Sequence, residues 1–173
     1  MQEANIQHVA VLGAGSMGHG IAEVAAIAGY TVSIRDIEQE FVDDGLGNIE
    51  WSLGKLAEKG QIDESAEDVF DRVEGYTDLE AAVENADLVV EAVPERMDLK
   101  KDTFAEVDEY APEGAILASN TSGLSITEMA EATDRPEQVV GTHYFNPPVR
   151  MDLVEIVHGD ATSDETIERA HAY

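Results

Sequence analysis

His8-Val9-Ala10-Val11-Leu12-Gly13-Ala14-Gly15-Ser16-Met17-Gly18-His19-Gly20 is the stretch on which the reading of this chain turns. Val9 to Leu12 is a short apolar run, the pattern of a buried parallel strand. The run breaks at Gly13 and resumes with helical spacing at Met17, Ile21, Val24, Ala25 and Ala28. Gly13, Gly15 and Gly18 spell G-x-G-x-x-G across that junction. The first glycine permits the tight turn, the second lets the backbone approach a pyrophosphate, and the third lets the helix lie close on the strand. The free N–H groups at the helix start then face the phosphates.

Working outward, Gly29-Tyr30 closes the helix, Thr31 to Ile34 reads as a second strand, and Asp36 stands at its end. A carboxylate about 20 residues past the turn accepts the ribose hydroxyls of NAD and repels the 2′-phosphate of NADP. Arg35 leaves the other reading open, because an arginine here could hold that phosphate. The expected cofactor is therefore NAD, held by Gly13, Gly15, Ser16, Met17, Gly18 and Asp36.

Composition limits the alternatives. A chain of 173 residues, 43% of them hydrophobic, can bury one good core. No apolar run approaches the length of a membrane span, and the N-terminus lacks the basic and apolar segments of a signal peptide. With no cysteine, disulfide and thiolate chemistry are excluded, and a cytoplasmic location is expected. The 37 acids against 10 bases give a net charge of −27, spread through the chain rather than gathered in a tail. That pattern predicts an acidic globular surface of the kind suited to salt-rich cytoplasm, with no affinity for nucleic acid. No Cys/His cluster or acid spacing suggests a metal site.

Farther along, residues 38–60 carry apolar positions at helical spacing, and residues 62–70 read as a shorter second helix. The two predict a helical hairpin standing off the sheet. Strands are expected at residues 72–76, 88–93, 115–118, 139–144 and 153–157. Helices are expected from Asp78, over 99–110, over 126–132 with a Ser125/Glu128 capping box, and from Ser163 onward. Strands alternating with helices predict an α/β fold with a doubly wound, mainly parallel sheet.

Two later segments resemble one family. Ser119-Asn120-Thr121-Ser122 is similar to the S-N-T-S segment of the L-3-hydroxyacyl-CoA dehydrogenases. His143-Tyr144-Phe145-Asn146-Pro147, followed by Met151-Asp152-Leu153-Val154-Glu155, resembles their H-F-F-N-P…M-x-L-V-E signature. The resemblance covers essentially the whole chain and implies a Rossmann-type domain. It implies NAD-dependent oxidation of an (S)-3-hydroxyacyl-CoA to the 3-oxoacyl-CoA, in fatty-acid β-oxidation or 3-hydroxybutyryl-CoA metabolism.

The chemistry requires a base for the hydroxyl proton while hydride leaves the carbon. A histidine suits that task, and a carboxylate on its other ring nitrogen fixes the tautomer. His143 and Glu155 lie twelve residues apart across Asn146-Pro147-Pro148, a spacing that lets neighbouring strands present both at one end of the sheet. The resemblance makes them the catalytic dyad. It also gives Ser122 a contact to the substrate's 3-oxygen or the nicotinamide, and Asn146 one to the nicotinamide ribose or substrate. Glu95 and Lys100 match cofactor contacts, although each reads equally as a helix-start acid and a solvated lysine. Ser52 and Lys59 match contacts to the CoA portion, with an exposed helix face as the alternative. His8, His19, His158 and His171 are expected to take no part in the chemistry.

Members of the family carry a second, helical domain that supplies an active-site asparagine and most of a homodimer contact. The expected division is a domain over residues 1–161 and, over 162–173, the start of the connecting helix, with that helical domain absent. An apolar patch and poor turnover by this chain alone follow. The competing expectations are a relative acting on a 3-hydroxy acid without CoA, and a non-catalytic dinucleotide-binding module.

Overall fold

The computed structural model describes residues 5–173; the first four residues of the expected domain lie outside the described residues. Seven strands form one sheet in the order β3-β2-β1-β4-β5-β6-β7. They are β1 (His8–Leu12), β2 (Thr31–Arg35), β3 (Val73–Tyr76), β4 (Leu88–Glu91), β5 (Ile116–Ser119), β6 (Val139–Tyr144) and β7 (Val154–His158). The first six run parallel, and β7 pairs antiparallel with β6. The chain order reverses between β1 and β4, and this switch point opens a crevice at the carboxyl ends of the strands.

Alternate residues of the strands feed two cores. Val9, Val11, Val32 and Ile34 face α1 (Ser16–Ile27), α2 (Gln39–Glu58), α3 (Ala66–Phe70) and α7 (Asp164–Ala172). Ala10, Leu12, Val89 and Leu117 face α4 (Leu79–Val83), α5 (Met97–Tyr110) and α6 (Ile126–Ala130). Burial on both faces is why the central strands β1, β4 and β5 read as continuous apolar runs.

Three expectations change. The segment after β2 does not stand off the sheet: α2 buries Val42, Gly45, Ile49 and Leu53, a 3–4-spaced stripe, and packs into the core. Its glycines do not break it. A Cβ on Gly45 would lie 2.9 Å from both the carbonyl oxygen and the Cβ of Ala14, so Gly45 is where this helix presses on the cofactor turn. The second helix begins only at Ala66, because the Ser65 hydroxyl accepts the Asp68 N–H and fixes the start there. At α6 the capping box is half formed. Ser125 accepts the Glu128 N–H, but the Glu128 carboxylate takes the Lys101 ammonium at 2.8 Å instead of returning to the cap.

The helix from Ser163 docks back on the domain, with Ala170 buried and the Tyr144 and Tyr173 hydroxyls 3.1 Å apart. Burial pushes the Tyr144 phenol up to about 12, so the hydroxyl that distinguishes this chain's His-Tyr-Phe from His-Phe-Phe stays neutral and bonded. Met151, Leu153, Val154 and Val157 are exposed on and before β7, which forms an apolar strip at the sheet edge. Among the described residues no helix is long and apolar enough to cross a membrane.

Candidate active site

The glycine turn sits in the crevice as its sequence requires. Gly13 has φ +100°, and its N–H donates to the Arg35 carbonyl at 2.8 Å. A Cβ on Gly18 would stand 1.7 Å from the Gly13 carbonyl oxygen, so no side chain fits between turn and helix. Gly15 faces open space, where a Cβ would meet nothing within 4 Å. It is the N-cap of α1 and gives no side-chain cap, so the first-turn N–H groups at Ser16, Met17 and Gly18 lack a capping side chain. An uncapped helix start beneath an unfilled backbone cradle fits a pyrophosphate.

Asp36 adds the second element. Its Oδ2 accepts the Ala14 N–H at 2.8 Å and its Oδ1 the Ile37 N–H at 2.7 Å. Both oxygens keep a lone pair for ribose hydroxyls. The Arg35 Nε donates to the Thr77 carbonyl at 2.8 Å, which ties the guanidinium to the far side of β2. These residues fit NAD.

At the other side of the crevice, β6 and β7 place His143 directly opposite Glu155. The imidazole Nδ1 lies 3.0 Å from Glu155 Oε1, with the side chains 20% and 54% exposed. A carboxylate only accepts, so Nδ1 carries the hydrogen and Nε2 is left as the base. The Phe145 ring packs edge-on against the imidazole at 4.7 Å between centroids. Ser122 is exposed on the loop after β5, and Asn146 is exposed on the loop after β6. Each therefore lies at a carboxyl strand end, where the cofactor turn also is.

The family described as 3-hydroxyacyl-CoA dehydrogenase, NAD binding domain, matches this chain over residues 8–173. The chain belongs to that family. It is 48% identical over 156 residues to a probable 3-hydroxybutyryl-CoA dehydrogenase of Deinococcus radiodurans, covering 90% of this chain and 56% of that protein. A probable 3-hydroxybutyryl-CoA dehydrogenase of Bacillus subtilis is 44% identical, covering 93% of this chain and 56% of that protein. The crystal structure of 3-hydroxybutyryl-CoA dehydrogenase from Escherichia coli superposes with a TM-score of 0.92 at 42% identity, covering 95% of this chain and 35% of that one. The chain spans about half the length of the curated relatives it matches.

Within this NAD-binding domain, Lys100 is not the solvated lysine that its sequence suggests. It is 2% exposed, and its Nζ donates to Glu91 Oε2 at 2.6 Å and to the Val93 carbonyl at 3.0 Å. Its charge thus neutralises a buried carboxylate beneath the site. Glu91 also accepts the Ser119 hydroxyl at 2.6 Å and the Val93 N–H at 2.9 Å, and Ser119 Oγ in turn accepts the Thr121 N–H at 3.2 Å. The Thr121 hydroxyl donates to Glu95, which is exposed above it, and accepts the Leu124 N–H at 3.0 Å. Asn120 Oδ1 takes the Tyr144 N–H at 2.9 Å, which fastens this loop to the strand of His143. Of Ser119-Asn120-Thr121-Ser122, the first three residues hold the loop and the fourth is presented.

Ser52 on α2 and Lys59, the C-cap residue just past its end, line a cavity of about 330 Å³ between α1, α2 and the loop at 146–150. His19 and Glu23 line it too, which the sequence reading did not anticipate. Glu91 was also missed; its signal is a carboxylate inside the otherwise apolar run from Leu88 to Val93. His8 lies apart, at the amino end of β1, bonded to Ser33 Oγ at 2.7 Å. Among the described residues, no three His, Asp or Glu side chains are grouped to hold a metal.

Proposed function

We propose that this chain is the nicotinamide-binding and base-carrying part of an (S)-3-hydroxyacyl-CoA dehydrogenase. The observation that carries the proposal is the His143–Glu155 pair, opposed across β6 and β7 at the strand end where the dinucleotide turn opens. When bound, NAD accepts the hydride that leaves the carbinol carbon. His143 takes the hydroxyl proton at Nε2, and Glu155 holds the Nδ1–H and stabilises the imidazolium that results. Ser122 donates to the substrate's 3-oxygen, and Asn146 contacts the nicotinamide ribose or the substrate. Glu95 borders the nicotinamide side of the crevice, and Lys100 supports it from below. Ser52 and Lys59 receive the CoA portion, Lys59 by its charge in a strongly acidic protein.

In the same reading, residues 1–161 form the dinucleotide domain and 162–173 open the helix toward a helical second domain. That domain completes the substrate site and the homodimer, and the enzyme works in the cytoplasm. The test is the loss of NADH absorbance with acetoacetyl-CoA in molar KCl. It compares this chain, the chain extended by a helical domain of the family's type, and that longer chain with His143→Gln. Turnover in the extended chain, abolished by His143→Gln while NADH still binds, is the expected result. A folded extended chain that binds NADH but does not reduce acetoacetyl-CoA overturns the acyl-CoA assignment. Turnover indifferent to His143→Gln overturns the dyad.

A further inference from the structure

Trp51 is the only tryptophan of the chain and is 68% exposed, on the face of α2 that lines the cavity with Ser52. A single exposed apolar side chain needs no explanation by itself, but this one has particular neighbours. Lys55, one turn along α2, holds its Nζ 5.8 Å from the centre of the indole ring. Lys59, just past the helix end, and Arg150, on the loop after β6, border the same cavity.

The charge around that cavity is inverted relative to the rest of the molecule. The chain carries 37 acids against 10 bases, and only four of the bases are lysines. Lys100 and Lys101 are committed to Glu91 and Glu128. The remaining two both stand here, exposed, together with Arg150. Lys55 has one loose partner, Glu58 at 3.6 Å, and among the described residues Lys59 and Arg150 have no ion pair. Among the described residues the cavity wall holds one acid, Glu23, which is 1% exposed and so buried below the cations. Its Oε1 and the Nδ1 of His19, one turn earlier on α1, are buried without hydrogen-bond partners. Such groups are costly to keep unless something polar meets them.

Cations around an exposed aromatic ring fit a ligand that ends in an aromatic base carrying phosphates. Unpaired polar atoms deeper in fit amide groups along an arm that reaches inward. Asn146, three residues past His143, lines the cavity too, so a ligand seated at Trp51 extends toward the catalytic base. Asp36, which receives the ribose of NAD, is not part of this wall, so a base seated here is not the cofactor's. We infer that the Trp51 indole is the platform on which the adenine of an acyl-CoA stacks, while Lys55, Lys59 and Arg150 hold its phosphates. Trp51 thereby selects CoA thioesters over thioesters that end at the pantetheine. The inference rests on the acyl-CoA reading above and adds to it the residue that recognises the base.

The test is titration of acetoacetyl-CoA, acetoacetyl-pantetheine and adenosine 3′,5′-bisphosphate into this chain and into the chain extended by a helical domain of the family's type. NAD is kept saturating: it fills its own site, and with a 3-oxo ligand it cannot react. Molar KCl screens the phosphate contacts and leaves the stacking. Excited at the red edge of indole absorption, the emission of this chain reports Trp51 alone. The two ligands that carry the base are expected to quench it saturably, and the pantetheine thioester is expected not to. By calorimetry, Trp51→Ala should raise the Kd of acetoacetyl-CoA about tenfold and leave that of acetoacetyl-pantetheine unchanged, and Trp51→Phe should recover most of the loss. A damaged fold would instead weaken both thioesters alike. An unchanged Kd for acetoacetyl-CoA in Trp51→Ala, or equal weakening of both thioesters, overturns the inference and leaves the acyl-CoA reading standing. The wild-type quench needs no variant and is an independent check: acetoacetyl-CoA that binds this chain without quenching Trp51 overturns the stacking. If NAD binds and neither thioester binds to either form of the wild-type chain, the acyl-CoA reading itself fails and the inference falls with it.

Discussion

Lys100→Met separates two roles for this lysine. A lysine that only touches the cofactor can lose its charge without harm to the empty protein. A lysine buried at 2% exposure against an equally buried Glu91 cannot. Removing the ammonium leaves the carboxylate uncompensated, at about 3–5 kcal/mol for a buried pair. Glu91 keeps the Ser119 hydroxyl and the Val93 N–H, so the expected loss is near the lower limit, about 3 kcal/mol. For a domain of this size that lowers Tm by about 6–12 °C. The assay is urea or thermal unfolding in molar KCl without NADH. The double variant Glu91→Gln/Lys100→Met is the control. A glutamine can accept from Val93 and donate to Ser119 with no buried charge, so more than half of the lost stability returns. NADH affinity should fall in the single variant, because Val93, Ser119 and Thr121 are strung from the same carboxylate. A loss under about 1 kcal/mol, or a double variant no better than the single one, refutes the argument.

Gly18→Ala should abolish NADH binding and lower stability, as its Cβ would stand 1.7 Å from the Gly13 carbonyl; fluorescence titration with NADH and a melting curve check both. Glu155→Gln should cut kcat by about 100-fold and leave NADH affinity unchanged, the effect kept moderate by 54% exposure of the carboxylate; steady-state kinetics of the extended chain decide it. Glu23, whose carboxyl is raised from 4.5 to about 7, stays protonated in the folded chain while its unfolded counterpart ionises. Stability is therefore lost as pH rises from about 4.5 to 7, and Glu23→Gln should remove up to about 3 kcal/mol of that slope in pH-dependent urea melts. With a net charge of −27, the urea midpoint should be far lower in 10 mM KCl than in molar KCl, where the screening length is about 3 Å; an unchanged midpoint refutes the charge argument.

The features legible in the sequence are those whose physics is local. A phosphate-binding turn needs glycine at fixed offsets, and Gly13, Gly15 and Gly18 show three different reasons for one residue type. Strands buried on both faces declare themselves as apolar runs, and the helix starts at Asp78, Ser125 and Ser163 sit where short polar side chains precede helices, whereas the cap at Ser65 did not show. What was hidden depends on partners distant in sequence. Lys100 looks solvated until the chain turns at Val93-Pro94 and brings it onto Glu91. Glu128 looks like half of a capping box until α5 offers it Lys101. Gly45 looks like a helix breaker until α2 is laid on Ala14. Glu23 lies on a helix whose neighbours are small and apolar, and nothing in its local spacing shows that α2 and the loop after β6 will close over it.

The position of the dyad follows from the one break in the parallel pattern. A parallel partner for β6 would need a crossover of a dozen residues or more, far more than the nine from Phe145 to Leu153. The chain instead returns antiparallel, and the register sets Glu155 against His143 on the same face. A slip of one residue would turn Glu155 to the other side of the sheet, so the turn at 146–153 fixes the chemistry as well as the fold. That turn is seated by Pro148, which is buried against Gly20; a Cβ there would approach the Pro148 ring to 2.8 Å. Gly20 lies one turn into α1, the helix whose first turn faces the pyrophosphate cradle. The base and the cofactor turn are thereby referenced to one short contact between α1 and a proline, and the distance between them does not depend on the flexible reach of any side chain.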